Sequence, residues 1–82
     1  MTRLRHRKRL PCWAIADAPV WYTTPSGARV PAIIDRHPWI AIGGDTWMTR
    51  LRDVRVPGAG GLMTINAVEL ADLTARIEDL TP

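Results

Sequence analysis

Apolar residues gather on both sides of a glycine pair in Trp39-Ile40-Ala41-Ile42-Gly43-Gly44-Asp45-Thr46-Trp47-Met48-Thr49-Arg50-Leu51, which reads as two strands joined by a tight turn. Glycine reaches positive φ without a Cβ clash, so Gly43-Gly44 is expected as the two-residue loop of a hairpin. That loop sets Ile42 opposite Asp45, Ile40 opposite Trp47 and Trp39 opposite Met48. Ile40–Trp47 is the best packing pair this register offers, because aromatic and β-branched neighbours stabilise each other across a ladder.

The pattern upstream is also β-prone. Cys12-Trp13-Ala14-Ile15-Ala16 suggests a short strand, Asp17-Ala18-Pro19 a break, and Val20-Trp21-Tyr22-Thr23-Thr24 a second strand rich in β-branched and aromatic residues. Pro25-Ser26-Gly27 forms a turn, because Pro presets φ at the first corner and Gly permits positive φ later. Residues 28–35 return as a strand. Pairing Thr23 with Ala28 puts Trp21 opposite Val30 and gathers Trp21, Val30, Ala32 and Ile34 on one face. Pro31 has no N–H for a ladder, so its position is an edge, a bulge or a bend. Asp35-Arg36-His37-Pro38 makes the next turn.

Beyond the central hairpin the alternation slips. Trp47 and Leu51 share one parity, Val54 and Val56 the other. A β-bulge or break near Arg52-Asp53 absorbs this change, since one extra residue reverses the face a strand presents. Pro57-Gly58-Ala59-Gly60-Gly61 reads as a loop and Leu62–Ile65 as a short strand. Asn66 then resembles a helix N-cap with Glu69 three residues on. Leu70, Leu73, Ile77 and Leu80 recur at helical spacing and predict a C-terminal helix over residues 67–80, its other side acidic through Glu69, Asp72, Glu78 and Asp79. The expected fold is mainly β with one C-terminal helix (α+β). It is a small SH3-like or Tudor-like barrel, or a strongly bent antiparallel meander of four to five strands, over residues 11–82. A basic flexible N-terminal arm, residues 1–10, precedes it.

Composition narrows this picture. Eighty-two residues make one domain with a modest core. With no Phe, one Tyr and four Trp, either Trp13, Trp21, Trp39 and Trp47 supply most of the core's bulk or some of them are exposed for binding. The single cysteine, Cys12, excludes an intramolecular disulfide and suits a reducing cytoplasm. No apolar run approaches the roughly 20 residues that cross a membrane. The stretch from Leu10 to Trp13, interrupted by Pro11, is too short for the apolar core of a secretory signal.

Charge is unevenly placed. Residues 1–9 carry five cations (Arg3, Arg5, Arg7, Lys8 and Arg9) and no acid, while the remaining chain holds six cations against eight acids. Charges this dense repel one another and favour an extended arm. Its arginines donate bidentately to phosphate. A second cluster, Arg50, Arg52 and Arg55, lies on the strand after the central turn, and Arg50 and Arg52 point to one side of a regular strand. With Arg29 and an exposed Trp39 or Tyr22 they would build a basic, aromatic surface. The plainer reading is a solvated face neutralised by Asp53, Asp45 or the helix acids.

Catalytic chemistry finds little support. Ser26 sits in a turn without a Gly-x-Ser-x-Gly elbow. Cys12 and His37 have no local signal of a thiolate–imidazole pair. His6 lies among cations, and Asp35 with His37 offers two metal ligands where a structural zinc site takes four. Gly58-Ala59-Gly60-Gly61 lacks the Gly-Lys-Ser/Thr of a phosphate loop. The sequence therefore points to a non-enzymatic protein with no cofactor or metal and no membrane. The expected partner is nucleic acid, bound with low sequence specificity through backbone contacts by Arg3, Arg5, Arg7, Lys8, Arg9, Arg50 and Arg52 in the cytoplasm. The alternative is a structural or adaptor protein, such as a virion component or mobile-element accessory protein, acting through protein contacts or self-association.

Overall fold

In the computed structural model, which describes residues 9–76, the first hairpin joins β1 (Pro19–Thr23) to β2 (Arg29–Ile34). The Thr24 amide donates to the Ala28 carbonyl (2.8 Å) and the Gly27 amide to the Thr24 carbonyl (2.8 Å). Gly27 has φ +96°, so the loop is three residues closed by a left-handed glycine. This moves the register by one from the Thr23–Ala28 pairing expected above. Thr23 faces Arg29, Tyr22 faces Val30, Trp21 faces Pro31 and Val20 faces Ala32. Strand side chains have a period of two, so the shift reverses the faces of β1 relative to β2. Val20 and Tyr22 join Val30, Ala32 and Ile34 inside, and Trp21 turns outward.

The same register accommodates Pro31. The Ile34 amide donates to the Ala18 carbonyl (3.0 Å) at one end of the ladder, and Thr24 pairs with Ala28 at the other. Bonded and non-bonded pairs alternate between these ends, so Trp21–Pro31 is a non-bonded pair that calls for no N–H toward β1. On its other side β2 meets β4 only at Ile33 and Ile34.

The central hairpin joins β3 (Trp39–Ile40) to β4 (Trp47–Arg55) in the expected register, Trp39 with Met48 and Ile40 with Trp47. Its turn sits one residue earlier than expected. The Gly44 amide donates to the Ala41 carbonyl (3.1 Å) and Gly43 has φ +83°, so Ile42 and Gly43 are the central residues. Ile42 is consequently fully exposed at the tip.

Strand β4 organises the sheet. It pairs with β3 at Trp47 and Met48, with β2 at Leu51 and Arg52, and with β5 (Leu62–Glu69) from Met48 to Arg55. Thr49 and Leu51 are buried, and then Val54, so the parity changes between them as the sequence pattern required. Asp53, at φ +54°, sits in the bulge. Leu51 pairs with Ile65 and Val54 with Met63, which leaves one extra residue in β4. Thr49 pairs with Val68, which leaves one extra residue in β5 between Ile65 and Val68. The two irregularities offset each other, and the strands regain the register with which they began.

The described residues contain no C-terminal helix. Strand β5 runs through Asn66 to Glu69, a 3-10 turn follows at Leu70–Asp72, and β6 (Leu73–Ala75) pairs with β1. Leu70 and Leu73 are both buried, and a single 3-10 turn places residues three apart on one side. The spacing that suggested a helix is thus used once, between two strands. Asn66 is a strand residue, not a cap. Ile77 and Leu80, which completed the stripe, lie outside the described residues. The stretch Cys12–Ala16 is also not a strand. It turns, with the Ala14 amide on the Pro11 carbonyl (3.0 Å), to bury Ala14.

The result is an antiparallel curled sheet forming a half-barrel, in the order β3-β4-β2-β1-β6 with β5 on β4. Its core is aliphatic: Val20, Val30, Ile34, Leu51 and Val54 at the centre, with Val68, Leu70 and Leu73 at the margin. Trp13 and Trp47 pack only against its rim, so the tryptophans do not supply the central bulk. The hydroxyl of buried Thr49 donates to the Arg36 carbonyl (3.2 Å). No helix among the described residues is long and apolar enough to cross a membrane.

Removing side-chain volume at the centre of β4 should be costly. Leu51→Ala is expected to lower unfolding stability by about 2–5 kcal/mol in urea titrations, whereas Ile42→Ala at the exposed tip should stay within about 0.5 kcal/mol.

Candidate functional site

Because Thr49 and Leu51 point inward, Arg50 and Arg52 point outward, and Arg52 stands opposite Ile33 of β2. Three aspartates reach them from separate elements. Asp35 follows β2, Asp17 precedes β1 and Asp53 lies in the β4 bulge. The three guanidinium nitrogens of Arg52 each meet a different carboxylate: Nη2 with Asp17 at 2.6 Å, Nε with Asp35 at 3.3 Å and Nη1 with Asp53 at 3.4 Å. Asp35 also lies 3.2 Å from Arg50 Nε, without the alignment of a hydrogen bond, and 3.9 Å from Arg36 Nε.

Asp17 and Asp53 are the only non-glycine residues at positive φ among those described, at +71° and +54°. Aspartate tolerates this region better than most residues. Asp17 is held there by its amide on the Ile34 carbonyl (2.7 Å) and by its bond to Arg52. The hydrogen bond that Arg52 donates to Asp17 raises the Arg52 pKa above its ordinary value; desolvation opposes this, and the charges of Asp17, Asp53 and Asp35 add to the rise. A cation with a raised pKa contributes its stabilisation at every pH below the unfolded value. It loses that contribution only beyond the ordinary arginine range, so the clamp persists through neutral and alkaline conditions.

The outer face thus brings Arg50 and Arg52 together and places three carboxylates among three guanidiniums. The carboxylates are Asp17, Asp35 and Asp53. Asp17 and Asp35 escaped the sequence reading, because nothing in their spacing shows that the ends of β1 and β2 converge on β4. Elsewhere on this face Arg29 lies 4.9 Å and Arg76 5.6 Å from the Trp21 ring centroid. Arg76 also donates to the Ala32 carbonyl (3.1 Å). Arg76 was likewise missed, because its segment read as helix. Trp39 shares the outer side with Met48, while Tyr22 faces in. Arg55 points outward opposite Leu62. Neither Arg29 nor Arg55 forms an ion pair among the described residues.

Of the arm, Arg9 is described and exposed. It lines a cleft of about 330 Å³ with Asp45, Thr46, Trp47, Glu69 and Leu70. Arg3, Arg5, Arg7 and Lys8 lie outside the described residues. Ser26 Oγ meets Thr24 Oγ1 at 2.9 Å within the first turn, and Cys12 and His37 are exposed and far apart in the chain. Among the described residues no group of three or more His, Cys, Asp or Glu could hold a metal ion. Comparisons with protein families, curated proteins and solved structures find no match to this chain.

A lysine presents one ammonium where Arg52 presents a three-way fork. Arg52→Lys and Arg52→Gln should both lower the urea midpoint, Gln more than Lys. The loss should be equal at neutral and moderately alkaline pH, and Arg29→Gln should change the midpoint less than either.

Proposed function

We propose that this chain is a small non-enzymatic nucleic-acid-binding protein of the cytoplasm. In this reading the half-barrel is an SH3-like barrel, in which a 3-10 turn leads into a last strand that returns to the first. It serves as the platform for a basic arm. The observation that carries the reading is the partition of charge. The Arg50–Arg52 cluster of the body is met by three aspartates, whereas residues 1–9 hold five cations and no acid.

Phosphate contacts fall first to Arg3, Arg5, Arg7, Lys8 and Arg9. Arg52 serves the fold, since each of its nitrogens already meets a carboxylate. Arg50, tied through Nε, is a secondary contact. Arg29 and Arg55 join it on the outer face, at the end where β2 begins and β4 finishes. Trp21 is half-covered beneath two guanidiniums, so base stacking on the body is not part of the reading. Binding is through the backbone, with low sequence specificity.

A second reading is an adaptor or structural component of a larger assembly. The neutralised Arg50–Arg52 cluster favours it, as do the exposed apolar side chains of Ile42, Leu62 and Met63.

Fluorescence anisotropy with labelled single- and double-stranded DNA and RNA across a salt series separates the two. The full chain should bind with steep salt dependence. Replacing the five arm cations with Gln should reduce the slope of log affinity against log salt by roughly 3.5–4.5. Arg29→Gln with Arg55→Gln should reduce it by less than about 2. Absence of binding by the full chain at low salt would overturn the nucleic-acid reading and leave the adaptor.

A further inference from the structure

Strand β5 is an edge of the sheet that the described residues form. Among the described residues β4 covers one edge and no strand covers the other. Its exposure is unusual for a strand of eight residues: Leu62, Met63, Thr64, Asn66 and Ala67 are all exposed, so both faces reach solvent along most of its length. Leu62 and Met63 are 53% and 45% exposed despite being apolar. An unpaired edge presents a row of backbone donors and acceptors to any extended chain, and monomeric proteins blunt such edges with charge, proline, bulges or shortness; the bulge of β5 lies beyond Ile65, so residues 62–65 keep a regular edge. Here residues 62–68, Leu-Met-Thr-Ile-Asn-Ala-Val, contain neither charge nor proline. The other outer strands are short by comparison, two residues in β3 and three in β6.

We propose that β5 pairs with β5 of a second copy of this chain, antiparallel about a two-fold axis at Thr64, to give a symmetric dimer. The occupant follows from the residues that such pairing sets opposite each other. Thr64 meets the partner's Thr64 on the axis, a cross-strand pair that is itself favourable. Met63 meets the partner's Ile65, and Leu62 the partner's Asn66. In each copy Met63 and Ile65 lie on the core side, opposite Val54 and Leu51. The Met63–Ile65 pairs therefore join the open ends of two half-barrels and cover the exposed Met63. No like charges are brought together along the strand, and nothing in it selects a charged partner.

The arms do not oppose this arrangement. Arg9 lines the cleft beside Glu69, at the far end of β5 from Gly61. With the axis at Thr64 the two Glu69 ends lie ten positions apart, roughly 30 Å at about 3.3 Å per residue. That is about four Debye lengths at physiological salt, so repulsion between the two Arg9 sites is largely screened. The proposal is independent of whether the arms bind nucleic acid.

Analytical ultracentrifugation of the full chain, without nucleic acid and across a concentration series, provides the test. The wild-type chain should dimerise with little salt dependence. Thr64→Lys and Thr64→Glu each place like charges on the axis and should weaken self-association by roughly tenfold or more. An equimolar mixture of the two should restore a dimer, because the axis then carries opposite charges. Thr64 is an exposed strand residue, and circular dichroism of each variant checks that it folds. A wild-type chain that stays monomeric at about tenfold above the micromolar range typical of weak specific association would overturn the proposal. So would a dimer that both substitutions leave unchanged, or two folded variants that fail to associate when mixed.

Discussion

The architecture depends on one strand serving three neighbours. Strand β4 must satisfy β3, β2 and β5 while keeping a continuous line of side chains in the core. Nine residues of perfect alternation would carry Val54 to the outer surface, where nothing packs on it. The extra residue at Arg52-Asp53 prevents this, and its cost is a left-handed backbone at a residue with a Cβ. Bulges also sharpen the local twist, which suits a sheet that must curl over a small aliphatic core instead of packing on a second layer.

The ionic arrangement on the outer face follows from that bulge. Turning Asp53 into the left-handed region brings its carboxylate back toward Arg52, whose direction is set by the inward placement of Leu51. Asp17 and Asp35 close on the same guanidinium from the start of β1 and the end of β2. Separate surface pairs contribute little each, but one fork shared by three carboxylates joins segments far apart in the chain. The first hairpin is thus tied to β4 beyond the short ladder at Ile33 and Ile34. These cations hold the fold.

Much of the β organisation was legible in the sequence because it rests on local chemistry. The pairing of Ile40 with Trp47, the parity change near Asp53 and the loop at residues 57–61 each follow from a few adjacent residues. What was lost depends on a single residue of turn geometry or on distant contacts. Gly27 closes a three-residue loop where four residues also fit the pattern, and that one position reversed the faces of Trp21 and Val20. Leu70 and Leu73 share their spacing with a helix, and only the return of β6 to β1 distinguishes a 3-10 turn from the start of one. For the candidate site, the basic composition of the arm and the outward direction of Arg50 and Arg52 could be read directly. Their carboxylate partners could not, since Asp17 lies 35 residues from Arg52 and meets it only through the folded sheet.

The offsetting bulges have an evolutionary consequence. Each is a site of one surplus residue that the opposite strand leaves without a partner. Deleting one residue at 52–53 leaves Val54 two positions after Leu51, still inward and opposite Met63, and deleting one at 66–67 does the same for Val68 after Ile65. Descendants of this chain should therefore tolerate the loss of a residue at either bulge independently, whereas a single-residue change elsewhere in β4 or β5 would turn core side chains outward. In an alignment of relatives, single gaps within these two strands would collect at residues 52–53 and 66–67.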